Sequence, residues 1–206
     1  MKKAIIGVLA FAIIACNKQD NNTDLKNEVE KWKIELQLNG EIGPSCIDEN
    51  GNITPEKSNK WMEDDKYYGI GGGYGLGEVI SFKHDFNSDK IIDGFYYFSP
   101  SNCAGGIGSS THVSDCGMLV YSYKGKVLTN KNITHTIENE IENKIYSMQK
   151  GEYKNVTSVL VYYKEFNDKI EGTFQAYLDS DAGCCPSYNG SFKYNPIDFS
   201  MELEKE

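Results

Sequence analysis

Apolar residues recur along the chain with a spacing that changes from segment to segment, and this spacing predicts the secondary structure. In one segment of the second half, successive apolar residues lie three or four positions apart. They are Ile133, Ile137, Ile141, Ile145 and Met148. Such spacing places all five on one face of a helix. The sequence therefore predicts one main amphipathic helix at about 133–149.

Other segments predict strands, because apolar residues alternate with polar ones or because β-branched and aromatic residues dominate. The predicted strands lie at 32–38, after a short helical lead-in, at 78–83, at 94–98, in a hairpin over 117–129 and in a hairpin that pairs 156–166 with 170–178. Residues 41–78 have few periodic apolar positions and predict a long structured loop. We expect an α+β fold built on an antiparallel sheet and stapled by disulfides.

Four consecutive aromatic residues occupy one predicted strand, Phe95, Tyr96, Tyr97 and Phe98. Neighbouring side chains in a strand point to opposite faces of the sheet. We favour a core on both faces, with the helix at 133–149 covering one of them. The alternative is an exposed aromatic platform on which a sugar or a protein stacks.

The N-terminus has the plan of a secretion signal. Lys2 and Lys3 precede an apolar stretch over 4–15, which as a helix would be roughly 18 Å long and too short for a bilayer core of ~30 Å. The end of this stretch and the next residue, Ile13-Ile14-Ala15-Cys16, resemble the lipobox of bacterial lipoproteins. The resemblance implies a signal peptide at 1–15 and acylation of Cys16. We therefore expect a lipid-anchored protein of the cell envelope that faces the periplasm or the cell exterior.

Downstream of Cys16 the chain is polar, and 16–24 is predicted to be a flexible tether. The remaining residues, 25–206, are enough for a single globular domain with a core of its own.

Charge narrows the classes of partner. The formal net charge is −9, and all 21 basic residues are lysines. Without arginine the chain has no side chain for bidentate contacts to phosphate or guanine. This composition argues against a nucleic-acid partner.

Export permits disulfides, and five of the six cysteines remain once Cys16 is acylated. At most two bridges can form among them. Cys103 and Cys116 are the easiest pair to predict, since closing so short a loop stabilises a protein by ~3 kcal/mol. The second predicted bridge joins Cys46 to either Cys184 or Cys185. A structural role is favoured for Cys184 and Cys185, because Pro186 follows them and the C-x-x-C spacing of redox sites is absent.

The segment 85–93 carries the sharpest local motif. Oxygen-bearing side chains occupy positions one, three, five and nine, as Asp85, Asn87, Asp89 and Asp93. The motif resembles the calcium loop of FG-GAP and VCBS repeats, which implies a structural Ca²⁺ held by these side chains. Those families have glycine at the sixth position, where this chain has Lys90. The alternative is an acidic turn without metal, held by side chain to backbone hydrogen bonds.

Other motifs give little support for catalysis. The glycine run at 69–77 lacks the spacing of a phosphate-binding loop. The three histidines, His84, His112 and His135, have no zinc spacing. Ser110, His112 and Asp115 lie close in sequence but without the nucleophile elbow of a hydrolase.

Two functional hypotheses follow. The first is a non-enzymatic binding module that is anchored to a membrane and takes a protein partner, such as a basic toxin or a lysozyme-like enzyme, as inhibitors and immunity proteins do. The alternative is an envelope hydrolase or carbohydrate-binding protein, with acids such as Asp179 and Asp181 or Asp64 and Asp65 in a cleft. The absence of a catalytic motif from the sequence favours the first.

Overall fold

A computed structural model describes residues 21–46, 48–50, 74–103, 113–149, 155–182 and 185–205. These ranges contain two helices and three antiparallel sheets, which confirms the predicted α+β class. The helices are α1 (Asn21–Leu38) and α2 (Ile133–Met148). Neither of these two helices has the length and apolar character needed to cross a bilayer. The predicted signal at 1–15 and Cys16 lie outside the described residues, and α1 begins within the segment predicted as a tether.

Ten strands form these sheets within the described ranges. In chain order they are β1 (Tyr74–Gly75), β2 (Ile80–His84), β3 (Asp93–Phe98), β4 (Ser101–Asn102), β5 (Cys116–Tyr123), β6 (Lys126–Asn130), β7 (Val156–Phe166), β8 (Ile170–Leu178), β9 (Tyr188–Tyr194) and β10 (Met201–Lys205). The front sheet has the order β2-β3-β5-β6, the back sheet has the order β10-β9-β8-β7, and β1 pairs with β4. The predicted hairpins β5–β6 and β7–β8 are confirmed, with their turns at 124–125 and 167–169.

The main core lies between the front sheet, the back sheet and α2. The four isoleucines of the predicted helical stripe are almost completely buried there, because their spacing presents them on one face. Phe95 of β3 contributes from the front sheet, stacking on Phe166 at the end of β7 with ring centroids 4.3 Å apart. Helix α2 is thus positioned by packing against both sheets at once.

A second core lies on the other face of the front sheet, beneath α1. Trp32 of α1 packs there against Phe98, with ring centroids 5.5 Å apart. All four aromatic residues of β3 are buried, with Phe95 and Tyr97 in the main core and Tyr96 and Phe98 in the second. The predicted two-sided core is confirmed, and the aromatic residues of β3 form no exposed platform.

The strand predicted at 32–38 is wrong, since these residues belong to α1. Trp32 and Leu36 share the buried side of α1 with Leu25 and Val29, at spacings of four, three and four. This helical period begins upstream of the short alternation that predicted a strand. Ile34, which the alternation placed on the buried face, is 54% exposed.

The predicted disulfide pairing is also wrong. Cys46 is bonded to Cys103, with Cα atoms 5.7 Å apart, and Cys116 is a free thiol. Cys116 lies opposite Phe98 in the front sheet, whereas Cys103 follows β4 in the short sheet. Sequence proximity favoured the shorter loop, but the β1–β4 pairing brings Cys103 beside the segment that carries Cys46. Cys185 is also disulfide-bonded, and Cys184 lies outside the described residues.

Candidate functional site

A cleft of ≈ 180 Å³ opens where the second half of α1 meets the start of β5 and the start of α2. Its lining combines apolar, acidic and hydroxyl side chains. The lining residues are Trp32, Leu36, Glu41, Ser114, Asp115, Cys116, Gly117, Lys131, Asn132, Thr134, His135 and Glu138. Among these residues, Asp115, Cys116 and His135 belong to the candidate triad, disulfide and zinc motifs of the sequence, and the structure brings all three to one cleft.

Asp115 is the most buried carboxylate of this cleft, with 4% of its surface exposed. One of its oxygens accepts a hydrogen bond from the Ser99 hydroxyl (2.6 Å), and the other accepts one from the backbone N–H of Tyr163 (2.8 Å). Burial raises the pKa of Asp115, and these hydrogen bonds lower it in part. Since both oxygens are already hydrogen-bonded, Asp115 connects the two sheets and holds the cleft floor.

Glu138 on α2 is the second carboxylate. It accepts a hydrogen bond from the Ser114 hydroxyl, whose oxygen accepts the backbone N–H of Val161 (3.1 Å). Its other oxygen lies 3.7 Å from Nδ1 of His135. Burial raises the pKa of Glu138, while Ser114 and His135 act in the opposite direction. Glu138 is therefore fixed in orientation at the cleft wall.

The free thiol of Cys116 also lines the cleft. Its pKa is raised to about 12, mainly by burial and in smaller part by Asp115, Glu41 and Glu138, which disfavour a further negative charge nearby. A thiol with this pKa is protonated at neutral pH and is a poor nucleophile. The surroundings of Cys116 are those of a structural cysteine.

The charge of the cleft is predominantly negative. Three carboxyl groups line it, those of Glu41, Asp115 and Glu138, against one lysine. That lysine, Lys131, is paired with Glu35 of α1. The cleft therefore offers acidic groups above a wall formed by apolar side chains of α1.

Glu138 and Thr134 belong to no motif visible in the sequence, although α2 itself is predicted. The two residues are four positions apart and share a face that flanks the buried isoleucine stripe. The spacing of four predicts that the two side chains lie on one face of α2. It indicates a functional site only once the start of β5 is known to lie beside that face. Thr134 donates a hydrogen bond to the carbonyl oxygen of Asp115 (3.0 Å).

The segment 85–93 runs from the end of β2 to Asp93, the first residue of β3. Asp85 accepts hydrogen bonds from the backbone N–H groups of Asp89 (3.0 Å) and Lys90 (2.8 Å), and Asn87 also accepts one from Asp89 (3.0 Å). Lys90 has a φ of 70°, in the left-handed region that favours glycine. The backbone therefore turns at Lys90 in a conformation that is costly for a residue with a side chain.

Asp93 differs from the other three side chains of this motif. It is 1% exposed, and its two oxygens accept the backbone N–H groups of Phe86 (3.0 Å) and Ser122 (2.8 Å). Burial raises its pKa, whereas a hydrogen bond from the Ser122 hydroxyl lowers the pKa of Asp89. Among the described residues, no group of three or more His, Cys, Asp or Glu side chains is placed to hold a metal ion. A Ca²⁺ here would depend mainly on Asp85, Asn87 and Asp89.

The remaining candidates are not brought together with this cleft. Asp181 accepts the backbone N–H groups of Leu178 and Ser187 (both 2.8 Å), which fixes the turn between β8 and β9. Nε2 of His84 lies 3.1 Å from a carboxylate oxygen of Asp168. His84 is on β2, which forms the edge of the front sheet opposite to β6. Asp64, Asp65, Ser110 and His112 lie outside the described residues. Comparison with known proteins adds no assignment, since no family model, curated protein or solved structure matches the chain.

Proposed function

We propose that the chain is a cell-envelope lipoprotein, anchored through a lipid on Cys16, whose domain binds a basic protein partner without catalysing a reaction. It acts in the manner of an inhibitor or an immunity-type protein. The partner inserts a cationic side chain into the acidic cleft between α1, β5 and α2.

The observation that carries this proposal is that the cleft combines a small volume, an apolar wall formed by α1 and acidic side chains. A volume of ≈ 180 Å³ is below the roughly 300 Å³ at which pockets for drug-sized ligands begin, and it suits one inserted side chain. The stem of a lysine or arginine can pack on Trp32 and Leu36, while Glu41 and Glu138 neutralise its charge. The net charge of −9 favours encounter with a basic partner.

The protonation and bonding of the cleft residues support binding over catalysis. The Cys116 thiol, with a pKa of about 12, is not activated, and both oxygens of Asp115 accept hydrogen bonds from the protein itself. A carboxyl group that acts as a general acid or base needs an oxygen that reaches the substrate. Asp115 instead maintains the shape of the cleft.

One observation favours an envelope hydrolase or carbohydrate-binding protein as the second candidate. Glu138 has a raised pKa and lines an open cleft, as a general acid of a glycosidase does. The two candidates differ in outcome, since the hydrolase turns over its substrate whereas the binding module leaves its partner intact.

The test is site-specific photo-crosslinking in intact cells. A photo-crosslinking amino acid replaces His135, whose side chain is 73% exposed at the cleft mouth, and in a matched control it replaces Lys164, which is exposed on β7. We expect position 135 alone to give one discrete adduct with a basic protein, and Glu41→Lys to abolish it. Equal adducts at both positions, an acidic partner or no adduct at position 135 would overturn the proposal.

A further inference from the structure

Strand β6 forms one edge of the front sheet in the described ranges, where it pairs with β5 alone. All of its residues except Asn130 are exposed. Val127 is 71% exposed and Leu128 is 37% exposed, and the two side chains lie on opposite faces of the sheet because neighbouring residues of a strand alternate. Exposed aliphatic side chains at the edge of a sheet favour pairing with a further strand.

The turn before β6 fixes which of its backbone groups point outward. The two turn residues at 124–125 have φ values of 50° and 74°, as in the two-residue turns that join β-hairpins. Tyr123 and Lys126, which flank this turn, are therefore a hydrogen-bonded pair, and the next pair, Ser122 with Val127, is not. The N–H and C=O of Val127 consequently point away from β5, to the outer edge of the sheet.

A hydrogen bond on the other side of β5 agrees with this pattern. The backbone N–H of Ser122 points away from β6 and donates to the Asp93 carboxylate (2.8 Å). Because the pattern repeats every second residue, the N–H and C=O of Thr129 also point to the outer edge. Within the described part of the chain, no group hydrogen-bonds the outward N–H and C=O of Val127 and Thr129.

The edge of the back sheet at β7 differs, because the chain itself covers it. Val161 of β7 donates its N–H to the Ser114 hydroxyl oxygen (3.1 Å), and Tyr163 donates its N–H to the Asp115 carboxylate (2.8 Å). The segment before β5 thus satisfies outward groups of β7. Among the described residues, β6 has no such cover.

The order of side chains along β6 is self-complementary. When two β6 strands pair antiparallel about a two-fold axis at Leu128, the outward groups of Val127 meet those of Thr129 in the other copy. Leu128 then lies opposite Leu128 of the other copy, and Lys126 lies opposite Asn130. This register therefore pairs aliphatic side chains with each other and opposes no two lysines.

The charge around β6 favours a second copy of this chain over the basic partner proposed for the cleft. No Asp or Glu occurs between Asp115 and Glu138, although the net charge of the chain is −9. Lys124 and Lys126 of each copy therefore approach a molecule of opposite net charge. The same two lysines disfavour a basic protein at this edge.

We propose that two copies of the chain associate by antiparallel pairing of their β6 strands, which joins their front sheets into one continuous sheet. The two-fold symmetry closes the assembly as a dimer, because each β6 edge is covered by the other. This association requires neither a lipid on Cys16 nor a partner in the cleft. It is therefore tested separately from the proposed function.

The test is disulfide crosslinking of the full chain in cells treated with a membrane-permeant oxidant. Leu128→Cys brings two thiols face to face, since the Cα atoms of such a pair lie about 4.5 Å apart, within the range of a disulfide. Lys126→Cys is the matched control, because it is exposed on the same face but its two copies are offset by roughly 14 Å in this register. We expect Leu128→Cys to form a disulfide-linked dimer, and Lys126→Cys and the wild type to remain monomeric.

A second variant tests the backbone pairing. Val127→Pro removes an outward N–H and leaves intact the β5–β6 hydrogen bonds, to which this N–H does not contribute. Added to Leu128→Cys, it is expected to abolish the dimer, while peptide mapping still joins Cys46 to Cys103 as in the folded wild type.

The proposal would be overturned if Leu128→Cys stayed monomeric, formed an adduct with a different protein, or gave no more dimer than Lys126→Cys. A dimer that persists in the folded Val127→Pro variant would also contradict strand pairing. The comparison of Leu128→Cys with Lys126→Cys is sufficient by itself if the proline variant does not fold.

Discussion

The carboxylate of Asp115 accepts a 2.8 Å hydrogen bond from the backbone N–H of Tyr163 and so joins the start of β5 in the front sheet to β7 in the back sheet. The backbone N–H of Asp115 also donates a hydrogen bond to β7, to the carbonyl oxygen of Val161 (2.8 Å). The Tyr163 hydroxyl, 2.8 Å from that of Thr134, extends the connection to α2. Asp115 and Tyr163 therefore link the front sheet, the back sheet and α2, which enclose the main core.

This arrangement predicts how stability depends on pH. Burial raises the pKa of Asp115 in the folded protein, so the folded state holds this proton more tightly than the unfolded chain. The contribution of Asp115 to the free energy of unfolding is therefore largest below the ordinary aspartate pKa and declines as pH rises through the raised value. Asp115→Asn keeps a similar shape and is expected to flatten this decline in urea denaturation. An unchanged pH slope, equal to that of the exposed control Asp179→Asn, would contradict the assignment.

Removal of the Asp115 side chain has a separate expected effect. Asp115→Ala leaves the buried N–H of Tyr163 without its acceptor, and such a loss destabilises a protein by about 1–3 kcal/mol. Equilibrium urea denaturation at one pH measures this difference directly. Asp179→Ala, in an exposed turn, is expected to change stability by less than about 0.5 kcal/mol.

The disulfide between Cys46 and Cys103 joins residues 57 positions apart in the sequence. On the chain-entropy model, closing a loop of this length stabilises the protein by about 4 kcal/mol. We expect Cys46→Ser with Cys103→Ser to lower the free energy of unfolding by an amount of this order, and Cys116→Ser to leave the bridge intact. Peptide mapping after blocking of free thiols checks the pairing. A peptide that joins Cys103 to Cys116 would contradict it.

The 85–93 loop gives a prediction about hydrogen bonding and one about calcium. Asp85→Ala is expected to destabilise the protein by about 1–2 kcal/mol in the presence of chelator, because two backbone N–H groups lose a charged acceptor.

Excess Ca²⁺ is expected to raise the Tm of the wild type and not that of the double variant Asp85→Ala with Asp89→Ala, since a ligand of the native state stabilises it. A wild-type Tm that is the same with Ca²⁺ and with chelator would exclude the calcium site and favour an acidic turn without metal.

Acylation of Cys16 is a prediction of the lipobox resemblance alone. Cells grown with a labelled fatty acid are expected to label the wild-type protein and Cys116→Ser, but not Cys16→Ser. The Cys16→Ser protein is also expected to leave the membrane fraction. If Cys16→Ser still carried the label, the lipid would be attached to another residue and Cys16 would not be the anchor.

The elements predicted correctly are those whose own residues carry the signal. Helix α2 has four buried isoleucines at helical spacing, and β7–β8 has two β-prone segments around a short turn. Helix α1 was misassigned because four alternating residues looked like a strand, while the helical period becomes visible only when Leu25 and Val29 are included. The disulfide and the cleft depend on contacts between segments distant in sequence. Nothing near Cys103 or Glu138 in the sequence indicates those contacts.

The most direct test of the proposed function is isothermal titration of the purified partner, identified by crosslinking at position 135, with the wild-type protein and with Glu41→Gln plus Glu138→Gln. We expect one-to-one binding that weakens at high salt, a loss of affinity of roughly tenfold or more in the double variant, and a partner recovered chemically unchanged. Equal affinity of the wild type and the variant would contradict a role for the cleft, and a partner cleaved or modified during the titration would contradict a non-enzymatic module.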